Sequence, residues 1–182
     1  MNWFNTIAIL VAAYLAVFFQ GTFNELRYWV GVQIDLLPGI MVFTSLGSGI
    51  VTLTLLAVCG GLWADSLSAN PLGISMLPLF LVGLLIHRSR EFILRDQPFA
   101  QFVLGTAATA GASLLTLLMV INTNAQPLVG WFSLWQWIVL SLVGGSVTPL
   151  WFRLFDWISE TLNYRPLGGS SFRPDREIKR GR

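Results

Sequence analysis

Charge is what this 182-residue chain has least of. Only 11% of its residues are charged and 54% are hydrophobic, whereas an ordinary soluble domain is about 25% charged. A chain this small could not hide so much apolar surface from water, because a small fold has too much surface for its volume. Lipid must therefore solvate most of it. Cysteine and histidine are nearly missing as well. The one cysteine, Cys59, lies inside an apolar run. That excludes an intrachain disulfide and any Cys-x-x-Cys site, and the residue reads as a small buried hydrophobe. The one histidine, His87, stands beside Arg88 and reads as an interfacial side chain. The chain has no H-E-x-x-H, no G-x-S-x-G and no P-loop. No pair of carboxylates falls in mid-run. The expectation is a non-enzyme with no metal, no cofactor and no nucleic-acid partner.

What is present is a series of long apolar runs. "WFNTIAILVAAYLAVFFQ" (3–20) is the first, without the basic lead-in and cleavage site of a signal peptide. The stretch 32–66 is apolar for more than one span and softens at "TSLGSG" (44–49). It divides there into two short, tilted helices. "NPLGISMLPLFLVGLLI" (70–86), "FAQFVLGTAATAGASLLTLLMVI" (99–121) and "WFSLWQWIVLSLVGGSVTPLWFRLF" (131–155) complete the set. Spans that must bond to themselves in lipid are helices. A barrel would need strict alternation in roughly ten-residue pieces, which is absent. The predicted fold is an all-α membrane protein: six transmembrane helices over residues 1–162, then a flexible polar tail over 163–182.

Basic residues set the expected orientation. Arg88, Arg90 and Arg95 lie between spans four and five. Arg153, Arg165, Arg173, Arg176, Lys179, Arg180 and Arg182 follow the core of span six. Two spans separate the groups, so they share a side, and basic loops stay cytoplasmic. Both termini are therefore expected inside. Trp29, Trp63, Trp131, Trp135 and Trp151 fall near span ends, where aromatic belts form.

The stretch "GLWADSLSANPLGIS" (60–74) places a single carboxylate, Asp65, between two apolar runs. Three readings stand open: a hydrated interfacial carboxylate that caps the next helix, a contact to a partner protein, or an ion site. The last is the least suited, since intramembrane ion sites sit deeper and are usually paired. Asn70 before Pro71 fits an N-cap with proline at the first helical position. Ser66, Ser68 and Asn70 can serve free backbone groups in the turn. Asp35, at the start of span two, reads like Asp65. Gly60, Gly61 and Ala64 give span three a small-residue face, and Gly105, Ala108 and Ala112 do the same for span five. Small residues let helix backbones approach closely in lipid.

"DLLPGIMVF" followed by "GLWADSLSANPLGISMLPLFLVGLLI" resembles the bacterial rod shape-determining protein family called MreD. The resemblance spans roughly residues 30–155. It rests on Asp65, Ser68, Pro71, Leu72 and Gly73, with Asp35, Leu36, Leu37 and Pro38 opening the second span. It implies a non-enzymatic subunit of the bacterial inner (cytoplasmic) membrane within the elongation machinery of rod-shaped cells. Its partners would be a single-span MreC-type protein, the actin-like MreB, and the wall-building pair of RodA and a transpeptidase. The family is also similar in fold to the substrate-binding subunits of energy-coupling-factor vitamin transporters. Small-molecule uptake is therefore the alternative, and it calls for a pocket with several convergent polar groups.

Overall fold

The computed structural model describes residues 3–22, 35–68, 71–93, 97–122 and 130–162. Six α-helices form where the apolar runs are: α1 (Trp3–Thr22), α2 (Leu37–Gly47), α3 (Ile50–Leu67), α4 (Met76–Ser89), α5 (Pro98–Asn122) and α6 (Trp131–Leu162). One 3-10 turn, Arg90–Phe92, follows α4, and no strand occurs among the described residues. Helices α1, α3, α5 and α6 are long and apolar enough to cross a membrane. The chain is a multi-pass membrane protein.

Six helices are present as expected, but only four have spanning length. Helices α2 and α4 contain 11 and 14 residues. At 1.5 Å rise per residue they are about 16 and 21 Å long, against a hydrocarbon core of about 30 Å. The division of 32–66 falls at Ser48–Gly49, inside the soft stretch read from the sequence. Ser48 leaves the helix in an extended conformation, and its N–H bonds to the Thr44 carbonyl.

The start of α4 corrects the sequence reading. Pro71 is not its first helical residue. Residues 72–75 form a turn, and the helix begins at Met76. The cause is Gly73, whose φ of +93° is a left-handed conformation that no α-helix contains. Pro78 then falls in the first turn of α4, where the missing N–H has no intrahelical partner to lose. Asn70, the expected cap, lies outside the described residues.

Helix α1 runs parallel to α3. Thr6 and Thr52 share a buried hydrogen bond of 2.9 Å near one end. Tyr14 meets Trp63 edge-on with ring centroids 5.4 Å apart, and Gly21 faces Leu67 near the other end. Helix α5 runs antiparallel to α6, with Gly105 facing Thr148 and Thr109 facing Gly144. Between the two pairs sits α2, which touches all five other helices. Its residues from Leu37 to Ser45 are buried without exception. Phe43 stacks on Phe155 at 4.4 Å and meets Phe152 edge-on at 5.2 Å. Trp151 packs against Phe155 and Gly39. Trp131 and Trp135 stay exposed.

Glycine notches set how closely the helices approach. A Cβ on Gly61 would lie 2.8 Å from the backbone N and Cα of Met76, and one on Gly60 would lie 3.2 Å from Leu37 Cδ2. A Cβ on Gly145 would collide with Thr106 Oγ1 and lie 2.9 Å from the Phe102 carbonyl oxygen. Gly111 differs, since its nearest contact would be Val82 Cγ2 at an ordinary 3.6 Å. Alanine is better than glycine in a helix by about 1 kcal/mol, while overpacking a tight contact costs about 1–3 kcal/mol or more. Gly111→Ala is therefore expected to leave thermal stability in detergent unchanged or raised. Gly61→Ala and Gly145→Ala are expected to lower it. Equal behaviour of the three variants in thermal unfolding would contradict this packing.

Candidate functional site

Two aspartates stand at the end of the bundle where α1, α3 and α5 finish and α2 and α4 begin. Each serves the start of a helix too short to span. Asp65, in the last turn of α3, is 2% exposed, so it is not the hydrated interfacial carboxylate of one reading. It holds the turn ahead of α4, and neither N–H that it accepts belongs to that helix. Its Oδ2 accepts the backbone N–H groups of Gly73 (2.8 Å) and Ser75 (3.0 Å). The turn that leads into α4 is thus folded around one carboxylate oxygen. The other oxygen, Oδ1, is buried and makes no hydrogen bond among the described residues. Ser68 closes α3, with its N–H and hydroxyl both directed at the Asp65 carbonyl. Pro71 and Leu72 are exposed.

Asp35 does the same for α2. Its Oδ1 accepts the Leu37 N–H at 3.1 Å and the Gln20 side-chain amide at 3.4 Å. Asp35 lies ahead of α2 and outside the helices. Burial pushes its carboxyl above the usual carboxylate range, and the bonds from Leu37 and Gln20 offset part of that. At the opposite end of α2, His87 Nδ1 donates to the Ser45 carbonyl at 2.9 Å. This histidine is therefore a tie between α4 and α2 rather than a loose interfacial side chain.

A cleft of about 260 Å³ opens beside Asp35. Its polar lining is Gln20, Asp35, Ser68, Ser75, Ser113 and Thr116, and Val17, Leu37, Leu67 and Leu79 supply apolar wall. Asp65 is set back from it, bonded to the Ser75 backbone. The small residues read from the sequence divide by role. Gly60 and Gly61 meet Leu37 and Met76, and Gly105 meets Thr148. Ala108 is core, whereas Ala64 and Ala112 line the cleft. Sequence reasoning missed Gln20, Ser75, Ser113 and Thr116 as neighbours of Asp35. Gln20 was the visible signal, as the one amide ending the first apolar run. Ser113 and Thr116 gave none, since each hydroxyl bonds to a carbonyl of its own helix. Among the described residues no group of three His, Cys, Asp or Glu converges in a way that could hold a metal ion.

Comparison with protein-family models, with curated proteins and with solved structures gave no match.

The Asp65 geometry has a direct consequence. Hydrogen bonds to a charged acceptor each contribute about 1.5–3 kcal/mol, and neutral ones about half that. Asp65→Ala leaves two N–H groups without an acceptor and is expected to destabilise by on the order of 3 kcal/mol. Asp65→Asn keeps an oxygen at the same place and is expected to lose much less. Thermal unfolding of the purified variants reads this order, and an Asp65→Ala protein as stable as the parent would contradict it.

Proposed function

We propose that this chain is a non-enzymatic subunit of the bacterial inner membrane that holds together the rod-shape, or elongation, complex. In this reading it seats a single-span MreC-type partner and thereby connects cytoplasmic MreB with the RodA–transpeptidase pair. In this reading both termini are cytoplasmic, which the basic groups at 88–95 and 153–182 support. The two-aspartate end then faces outward, toward the wall-building enzymes. The observation that carries the reading is the turn itself. Asp65, Ser68 and Gly73, positions on which the family resemblance rests, act together in one element: the carboxylate accepts from the Gly73 and Ser75 amides, and Gly73 supplies the left-handed residue. A scaffold needs such a fixed surface. Its carboxylates are engaged with backbone amides rather than arranged for proton transfer, and its helices are locked by glycine notches.

One observation favours small-molecule uptake as a second reading, namely the cleft beside Asp35 with its convergent polar lining. Depletion of the chain from the rod-shaped bacterium that makes it separates the two. Rounded cells that regain rod shape on re-expression are the expected outcome. Rods that persist under depletion, with growth restored by one added vitamin, would overturn the scaffold reading in favour of uptake.

A further inference from the structure

We propose that the cleft beside Asp35 binds a protonated amine carried on an apolar body, with the Asp35 carboxylate as its counter-charge. Among the described residues of the lining, Asp35 is the only ionisable side chain. Asp35 directs its Oδ1 to the Leu37 and Gln20 donors. The hydroxyls complete the pattern. Ser113 donates to the Thr109 carbonyl and Thr116 to the Ala112 carbonyl. With their protons committed to main chain, what these groups offer the cleft is oxygen lone pairs. A site of acceptors around one carboxylate matches an ammonium, which has three donors and no acceptor.

The wall decides between an inorganic and an organic cation. Val17, Leu37, Leu67 and Leu79 line the same space. A sodium ion gains nothing from them, whereas an amine with a hydrocarbon body removes that surface from water. The cleft lies at an end of the bundle, where helices leave the membrane core. The amine can therefore come from an ethanolamine lipid headgroup or from a free amine in solution. The assignment does not depend on the scaffold reading, since a scaffold can hold a resident lipid as readily as an uptake subunit holds its cargo.

The test uses the full chain in dodecyl maltoside. Binding is followed by native mass spectrometry and by the thermal midpoint. The probes are dihexanoyl phosphatidylethanolamine, 2-phenylethylamine, dihexanoyl phosphatidylglycerol and sodium chloride. At least one amine probe is expected to bind and raise the midpoint, while phosphatidylglycerol and sodium do not. Binding by the lipid alone assigns a headgroup, and binding by 2-phenylethylamine assigns a soluble amine. Asp35→Asn is expected to weaken binding about tenfold or more, the scale of losing a partly buried charge partner. Thr116→Phe fills the cleft, leaves the carboxylate in place and is expected to abolish binding. Failure of both amines to bind, equal binding of phosphatidylglycerol or sodium, or undiminished binding by either variant overturns the proposal.

Discussion

A helix that stops inside a membrane protein has backbone groups that water cannot reach, and everything else in this bundle is arranged around two such helices. The first N–H groups of any helix have no partner within it, and an unsatisfied group in an apolar surrounding costs several kcal/mol. Helix α2 is buried from Leu37 to Ser45, with Asp35 and Leu36 half-buried ahead of it and Gly47 exposed at its close. Asp35 takes the Leu37 N–H at one end, and His87 takes the Ser45 carbonyl at the other. Helix α4 is entered through a turn held by Asp65. In a chain with so little charge, two of the acids are placed where a carboxylate takes backbone N–H groups on the approach to a short helix.

The same economy governs the hydroxyls and the glycines. Thr44, Ser45, Thr106, Thr109 and Thr148 each bond to the carbonyl four residues back, so a polar side chain can face another helix with its proton already placed. Those threonines then fit against the glycines of the neighbouring helix, as Thr148 does against Gly105 and Thr109 against Gly144. Lipid provides no hydrophobic drive between helices, and close packing has to supply the association. Contact of α2 with every other helix makes it the element through which the α1–α3 pair and the α5–α6 pair are joined.

Helix class, the apolar segments and the break near residue 48 were legible because each is a local property of composition. The small-residue faces were legible too, but not their partners: that Gly61 meets the Met76 backbone, or that Gly144 and Gly145 of α6 receive threonines of α5, depends on which helices become neighbours. The start of α4 was misread because Asn-Pro is a sound helix-opening signal and the competing one, a left-handed Gly73 held by a carboxylate eight residues earlier, is not local. Burial of Asp65 was hidden for a related reason: its position at the end of a span suggested water, and only the fold brings the next turn over it.

The cleft beside Asp35 and the turn around Asp65 share Ser75, whose backbone bonds to one aspartate while the residue lines the space facing the other. Whatever docks or binds at this end meets a surface fixed by those two carboxylates. Amide hydrogen exchange on the protein in lipid nanodiscs tests that most directly, read at Leu37, Gly73 and Ser75. If the carboxylates hold these N–H groups as described, the three amides exchange as slowly as those in the middle of α5. Exchange at the rate of an open loop, at Gly73 and Ser75 above all, would contradict the account.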